Sequence, residues 1–179
     1  MRLFVAVDLD EKIRDSIYKV AGRLSKLSGL KLVEKENLHI TLMFLGEVNE
    51  AKVDLIKEKL SEIKFDPFEI SFKGIGFFPP KGNPRVVWIG IENGEDKLKY
   101  LANEVSEKLK KLGFKRDKEF SAHVTIARVK RRVSGLKELL SEFENEVFGS
   151  MVVDKFKLKR SILKHTGPIY TDIEVFDFK

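Results

Sequence analysis

The sequence predicts an α+β fold in which a strand–helix–strand–helix–strand unit occurs twice. Some segments alternate apolar and polar residues, which is typical of strands, and others repeat apolar residues every three or four positions, which is typical of helices. The order of these segments in the first half of the chain is found again in the second half. Corresponding positions keep a constant offset, as between His39 and His123, which lie 84 residues apart. We expect one domain of two pseudo-symmetric lobes, copied at about residues 1–83 and 84–179, that share a groove.

The first copy begins with an apolar, β-prone segment at residues 2–9. A helix follows, because its apolar residues fall on one face: Ile13, Ile17, Val20, Leu24 and Leu27. Strands near residues 30–34 and 39–45 precede a second helix, for which Asn49 is the expected N-cap. The copy closes with a half-buried strand whose apolar residues alternate with polar ones: Phe68, Ile70 and Phe72.

The second copy repeats this order, with strands and helices predicted at residues 85–91, 98–112, 122–129 and 136–147. Two more β-rich segments, at residues 150–163 and 169–178, complete the chain. The stretch 76–84, rich in Pro and Gly, is expected to form a hairpin loop between the copies. Phe77 and Phe78 are expected to anchor this loop to the core, with stacking on bases as the alternative.

The composition excludes several classes of protein. With 42% hydrophobic residues and 14 Phe, the chain can build a packed core and is not disordered. Its apolar runs are much shorter than the roughly 20 residues of a membrane span, so no membrane partner is expected. The absence of Cys excludes disulfides, thiolate nucleophiles and Cys-based metal sites, and predicts a cytoplasmic protein. The abundance of Lys, Arg and Glu favours a thermophilic origin, and a monomer is expected.

The charge of the chain is compatible with an anionic partner. The net charge is +6 and the pI is about 9.3. Residues 108–132 hold ten Lys and Arg against two acidic residues. This basic segment is either a solvated surface or one that attracts phosphate.

The most informative motif is a His followed two positions later by a Thr. The chain has three His and four Thr, yet the pairs His39–Thr41 and His123–Thr125 lie at equivalent points of the repeat. Since alternate residues of a strand share a face, each strand presents an imidazole and a hydroxyl to the groove. The intervening and following apolar residues of the first motif are expected to face the core: Ile40, Leu42 and Phe44.

Two opposed imidazoles suit in-line displacement at phosphorus. A neutral His can take a proton from water while a protonated His delivers one to the leaving oxygen, because the ordinary histidine pKa is near 6.5. The Thr hydroxyls can donate to the non-bridging oxygens. No metal or cofactor is required, and a zinc site would need further ligands when only His165 remains, in a different segment. A serine hydrolase is disfavoured because there is no Gly-x-Ser-x-Gly motif.

With these motifs the chain resembles the two-histidine (2H) phosphoesterases. It is most similar to their LigT/ThpR branch, the RNA 2',3'-cyclic phosphodiesterases once named 2'-5' RNA ligases. The matching stretches run the length of the chain: Arg2-Leu3-Phe4-Val5-Ala6-Val7, His39-Ile40-Thr41-Leu42-Met43-Phe44-Leu45-Gly46, Arg85-Val86-Val87-Trp88-Ile89-Gly90, His123-Val124-Thr125-Ile126-Ala127-Arg128 and Gly167-Pro168-Ile169-Tyr170.

The resemblance implies a bilobal LigT-like fold with two antiparallel sheets lining a central cleft and helices on the outer faces. It implies hydrolysis of RNA 2',3'-cyclic phosphate ends to 2'-phosphates, and the reverse reaction would account for 2'-5' ligase activity. By analogy, His39 is the proton donor and His123 the proton acceptor. Thr41 and Thr125 would hold the phosphate oxygens, and Arg128 would add a guanidinium fork.

Arg128 presents a difficulty for this assignment. It lies five residues after His123, which is the wrong parity for the same face of a regular strand, so it reaches the cleft only if the strand twists, bulges or ends there. Trp88 and Tyr170 are expected to serve core and edge packing rather than substrate binding.

Two other functions stay open at this point. One is a non-catalytic RNA-binding module, which the basic segment and strand–helix order would suit, although the groove faces carry His and Thr instead of the aromatic residues of an RNA-recognition sheet. The other is a phosphodiesterase acting on another cyclic or 2'-5' linked nucleotide, because the motifs recognise phosphate and not the base.

Overall fold

The structure, a computed structural model, describes residues 1–178. Nine strands are present among them: β1 (Arg2–Asp8), β2 (Leu30–Leu32), β3 (His39–Glu47), β4 (Phe68–Phe78), β5 (Val86–Ile91), β6 (His123–Val129), β7 (Val147–Val153), β8 (Lys155–Lys164) and β9 (Gly167–Asp177). The α-helices of the same residues are α1 (Glu11–Leu24), α2 (Val53–Ser61), α3 (Glu95–Lys110) and α4 (Leu136–Ser141). Short 3-10 helices occupy Lys35–Asn37 and Glu50–Lys52.

The strands form two antiparallel sheets. The first sheet has the order β3-β1-β8-β9, and the second has the order β2-β6-β5-β4-β7. The sheets approach each other at β3 and β6, where Cα atoms of the two strands come within 8 Å. The predicted α+β class with two antiparallel sheets is therefore confirmed, and the strands that carry the two His-x-Thr motifs lie next to each other.

The two sheets do not coincide with the two sequence copies. The first sheet combines β1 and β3 of the first copy with β8 and β9, and the second sheet contains β4 of the first copy. The reason is local: the short connection from β4 to β5 joins antiparallel neighbours, so the last strand of the first copy pairs with the first strand of the second. A single continuous cluster of buried side chains spans both sheets and the helices.

The helices are amphipathic and contribute their apolar faces to this cluster. In α1 the Asp10 carboxylate caps the helix by accepting from the backbone N–H of Ile13 at 2.9 Å. The buried residues of α1 follow the predicted spacing: Ile13, Ile17, Val20, Ala21 and Leu24. Helix α3 contacts β3, and α1 contacts β7. Among the helices of residues 1–178, none is both long and apolar enough to span a lipid bilayer.

Three element boundaries differ from the sequence-based expectation. The segment 150–163 is two strands, because Asp154 separates β7 in the second sheet from β8 in the first. Val147 begins β7 instead of ending a helix, and α4 is a helix of only six residues. Strand β4 continues through Phe78, so the connection to β5 is shorter than the predicted loop 76–84.

A β-bulge in β3 breaks the predicted alternation. In the pairing with β1, Ala6 lies opposite Thr41 and Val5 lies opposite Met43, so Leu42 has no partner. The side chains of Leu42 and Met43 are both buried, and the next residue, Phe44, is 65% exposed. The prediction that Phe44 faces the core was therefore wrong, because the extra residue reverses the parity of the strand.

The same bulge recurs in β6 at the equivalent position. Val87 lies opposite Ala127 and Trp88 lies opposite Thr125, which leaves Ile126 as the extra residue, 84 positions after Leu42. Ile126 and Ala127 are both buried, and Arg128 is exposed. The bulge removes the parity difficulty of Arg128, which lies on the same face as Thr125.

The bulge predicts that neighbouring apolar residues of β3 differ in their effect on stability. Leu42→Ala should lower the free energy of unfolding by about 2–5 kcal/mol, because it opens a cavity in the core. Phe44→Ala should cost less than about 1 kcal/mol, because this ring is exposed. Urea denaturation monitored by circular dichroism measures both. A loss for Phe44→Ala as large as for Leu42→Ala would contradict the bulge.

Candidate active site

The structure brings the two His-x-Thr motifs together in the cleft. In the first sheet, His39 and Thr41 are paired with Asp8 and Ala6 of β1 and share their face of the sheet. In the second sheet, His123 and Thr125 are paired with Gly90 and Trp88 of β5. The two imidazoles are close enough for the positive charge of His123 to lower the pKa of His39.

Both imidazoles are held in the same way by the backbone. His39 Nδ1 lies 2.7 Å from the carbonyl oxygen of Asn37, and His123 Nδ1 lies 2.8 Å from that of Ser121. Because a carbonyl oxygen only accepts, Nδ1 is the protonated nitrogen of each neutral ring. Nε2 is therefore the nitrogen left to take or deliver a proton. At His39 it lies 2.8 Å from the Thr41 hydroxyl, which donates to it when the ring is neutral.

The pKa of each histidine is lowered, and the neighbours of the two rings differ. Burial is the largest cause for both, because it disfavours the charged form. For His39 the Asn37 carbonyl and the Asp8 carboxylate raise the pKa, whereas the positive charges of Lys159 and His123 lower it. For His123 the carbonyl of Ser121 raises the pKa.

The charged side chains around His123 are both cationic. Lys118 and Arg128 lower its pKa, and no carboxylate opposes them. His39, by contrast, has Asp8 beside it. The Asp8 carboxylate favours the charged form of His39, against burial and the positive charges of Lys159 and His123, which lower its pKa.

Two Lys and two Asp form a neutral cluster on the cleft face of the first sheet. Lys159, which is 7% exposed, contacts Asp8 at 2.7 Å and Asp172 at 3.2 Å. Lys157 contacts the same carboxylates at 2.9 and 2.8 Å. Burial acts to raise the pKa of Asp8, but the hydrogen bonds from Lys159 and Lys157 outweigh it and lower the pKa. Asp8 thus stays ionised beside His39.

Aromatic side chains flank the histidines in both sheets. Phe4 and Tyr170 pack on the His39 ring, with ring centroids at 5.2 and 5.4 Å. Phe78 meets the His123 ring edge-on at 5.9 Å and packs on Trp88 at 5.3 Å. Each imidazole thus has an aromatic ring against one of its sides.

The expected anchoring of Phe78 in the core needs correction, whereas Tyr170 and Trp88 pack against neighbouring rings as expected. Tyr170 lies in the cleft, where burial raises its pKa and the positive charge of Arg128 opposes that rise. Trp88 packs on Phe78, and its indole N–H is buried without a hydrogen-bond partner in residues 1–178. Phe77 packs against the core as expected, whereas Phe78 is 39% exposed beside His123.

The analysis of single strands missed Phe44. The offset between the copies could have indicated it, because Phe44 lies 84 residues before Arg128 and follows the same bulge. The cleft thus has a guanidinium on one side and an exposed ring at the equivalent point of the other.

His165 and the acidic residues form no second site within residues 1–178. His165 is exposed in the turn between β8 and β9, beyond the strands that carry the motifs. Within residues 1–178, no three His, Asp or Glu side chains come together in a group suited to a metal ion.

A comparison with protein families identifies this arrangement. The model of LigT-like phosphoesterases matches the chain twice, at residues 7–88 and 89–170. The chain belongs to the LigT-like phosphoesterase family. The two matches meet at residues 88 and 89, five residues after the boundary at 83 and 84 expected from the repeat, and each contains one His-x-Thr motif.

Relatives of this LigT-like phosphoesterase share most of its length. It is 55% identical over 177 residues to an RNA 2',3'-cyclic phosphodiesterase of Archaeoglobus fulgidus, covering 99% of this chain and 100% of the relative. It is 42% identical to the protein of the same name in Methanothermobacter thermautotrophicus, covering 98% of each.

Solved structures of the family have the same fold. The crystal structure of TT0787 of Thermus thermophilus aligns with a TM-score of 0.88 and 31% identity, covering 99% of this chain and 98% of that one. Escherichia coli LigT complexed with 3'-AMP aligns with a TM-score of 0.77 and 25% identity, covering 99% and 96%.

The hydrogen bonds of the two rings predict their tautomer. Above the pKa of each, His39 and His123 should both be neutral with the proton on Nδ1, and both should titrate below the ordinary value of 6.5. Long-range ¹H–¹⁵N correlation spectra of ¹⁵N-histidine-labelled protein, recorded across a pH series, measure both properties. A proton on Nε2 of either neutral ring would contradict the geometry.

Proposed function

We propose that this chain is an RNA 2',3'-cyclic phosphodiesterase that uses His39 and His123 as its general acid and base. The observation that carries the proposal is the matched pair of imidazoles, each held by Nδ1 so that Nε2 serves the substrate. The names of the two relatives above support the substrate class. The nucleotide in the LigT complex supports a nucleotide ligand for the cleft.

The reaction follows from proton transfers at the two Nε2 atoms. Neutral His123 takes a proton from a water molecule, whose oxygen attacks the phosphorus of the cyclic phosphate. The bond from phosphorus to the 3' oxygen breaks, and protonated His39 delivers its Nε2 proton to that oxygen. The product carries a 2'-phosphate and a 3'-hydroxyl, and each proton transfer contributes about 10²–10⁴-fold to the rate.

The Asp8 carboxylate beside His39 and the two cations beside His123 support this division of roles, whereas Lys159 and His123 act against the protonated form of His39. Asp8 favours the protonated form of His39, which suits a general acid. Lys118 and Arg128 favour the neutral form of His123, which suits a general base. A bound phosphodiester carries a negative charge that raises the pKa of both imidazoles, and this offsets the effect of burial on His39.

The remaining groups would bind the phosphate. Thr41 and Thr125 lie on the cleft face with the histidines, where their hydroxyls can donate to non-bridging oxygens. Arg128 reaches this face because of the bulge and can donate two N–H groups to the developing charge. The exposed ring of Phe44 is suited to stacking on the base of the terminal nucleotide.

The proposal treats the chain as one functional unit. Each sequence copy supplies one histidine, so neither copy is complete alone, and a monomer is sufficient because both histidines belong to one chain. Joining of a 5'-hydroxyl end to the cyclic phosphate would form a 2'-5' linkage by the same two proton transfers, with the 5'-hydroxyl in place of water. His123 would take the proton of that hydroxyl, the bond from phosphorus to the 3' oxygen would break, and His39 would protonate the 3' oxygen. The cytoplasmic location stays a prediction.

The central test is hydrolysis of an oligoribonucleotide with a 2',3'-cyclic phosphate end in excess EDTA. His39→Ala and His123→Ala should each lower kcat by about 10²–10⁴-fold, because each removes one proton transfer. His165→Ala is the matched control and should retain full activity, since this residue lies outside the cleft. Phosphorus NMR of the product should show a 2'-phosphate.

Three results would contradict the proposal. Undiminished turnover in either cleft variant would exclude the assigned roles. Tight RNA binding without turnover in the wild-type protein would favour the binding module. A preference for a 2'-5' linked nucleotide or another cyclic nucleotide over the RNA end would show that the substrate is not the RNA 2',3'-cyclic phosphate.

Arg128 has its own test. Arg128→Ala should lower kcat/KM by about 10²-fold, because it removes a donor to the developing charge. Arg128→Lys should recover part of the loss, because it keeps the charge but not the fork. The control is Arg131→Ala, since the Arg131 guanidinium is bound to the hydroxyl of Ser28. Equal activity of Arg128→Ala and Arg131→Ala would exclude Arg128 from the site.

A further inference from the structure

Asn37 connects His39 to the hairpin formed by β8 and β9. Its backbone carbonyl accepts the hydrogen bond from His39 Nδ1 at 2.7 Å. Its side-chain amide donates to the carbonyl oxygen of Pro168, at the start of β9, at 3.1 Å. Residues 37 and 168 are 131 positions apart in the sequence, so this bond closes a long loop of the chain.

The hairpin also contacts the His39 ring directly. Tyr170, two residues after Pro168, packs edge-on against the imidazole with ring centroids 5.4 Å apart and an interplanar angle of 86°. Phe4 packs on the same imidazole at 5.2 Å and on Tyr170 at 5.0 Å. The start of β9 therefore fixes both the carbonyl that holds Nδ1 and the plane of the ring.

The other half of the site lacks this connection. Ser121 is the counterpart of Asn37, 84 residues later, and its carbonyl accepts from His123 Nδ1 at 2.8 Å. The Ser121 side chain is exposed and makes no hydrogen bond within residues 1–178. The repeated unit thus holds both rings by a carbonyl, but only the carbonyl at His39 is tied to a distant strand.

We propose that Asn37 is a positioning residue for His39, which it holds by linking the ring to Pro168 of the β8–β9 hairpin. Its role in the reaction rests on the proposed function, but its effect on the ring does not. A general acid must present its Nε2 proton to one oxygen in one direction, and a displacement of about 1 Å can cost on the order of 10²-fold in rate. A base that acts on a mobile water molecule tolerates more freedom.

The titration of His39 gives the inference an independent readout. The titratable and charged groups that face this ring are Asp8, Lys159, Tyr170 and His123, and Asn37→Ala removes none of them. The hydrogen bond to the Asn37 carbonyl raises the pKa of His39 because it stabilises the protonated ring. Loss of the amide–Pro168 bond frees that carbonyl, so the pKa of His39 should fall below its wild-type value.

The experiment compares Asn37→Ala with Ser121→Ala and Lys31→Ala. Ser121 is the counterpart at His123, and the Lys31 ammonium donates to the Thr166 carbonyl in the same hairpin turn without touching Asn37. Asn37→Ala should lower kcat about tenfold or more with KM changed less than about twofold, and should move the high-pH limb of kcat to lower pH. Both controls should match the wild type.

Histidine NMR titration of the free protein keeps this test separate from the proposed function. Asn37→Ala should lower the pKa of His39 and leave that of His123 unchanged. The positioning role would be overturned if the pKa of His39 is unchanged in Asn37→Ala, or if Ser121→Ala lowers the pKa of His123 by the same amount. Either result counts even if no RNA is hydrolysed. If Asn37→Ala does not fold, Asn37→Asp tests the same bond, because the carboxylate of Asp matches the amide of Asn in size but cannot donate to the Pro168 carbonyl. A wild-type kcat in Asn37→Asp would overturn the inference.

Discussion

The hydrogen bond from each histidine Nδ1 to the carbonyl two residues earlier is the constraint on which the site depends. It decides which nitrogen carries the proton in the neutral ring, and it turns Nε2 towards the cleft. The bond needs no side-chain partner, because it uses the backbone just before the strand begins. The same hydrogen bond is therefore present in both copies, although almost every other residue differs between them. The two imidazoles are thus held with the same geometry.

The chemistry that we propose requires the two copies to differ around this shared frame. Asp8 and the Lys–Asp cluster lie beside His39, whereas Lys118 and Arg128 lie beside His123. The ring of Phe44 on one side corresponds to the guanidinium of Arg128 on the other. In the proposed reaction, the repeated backbone accounts for the two similarly held imidazoles, and the different side chains around them account for their different roles.

Much of this could be predicted from the repeat, because a constant offset is a property of the linear chain. Most strands and helices of the two copies followed from it, and so did the equivalent placement of the two His-x-Thr motifs. The division of residues 150–163 into two sheets did not follow, since a strand pattern records that a segment is extended but not which strand it pairs with.

The α+β class, the internal repeat and the two His-x-Thr motifs could be derived from the sequence by itself, because they depend on period and spacing, and the resemblance of these motifs indicated the family. Only the tertiary structure decided the parity of Phe44 and Arg128, the surroundings of each imidazole and the link from Asn37 to Pro168. A bulge is one unpaired residue in a ladder, and a hydrogen bond across 131 residues joins segments with no shared pattern. Such features exist only after strands have paired, so no local period of the chain encodes them.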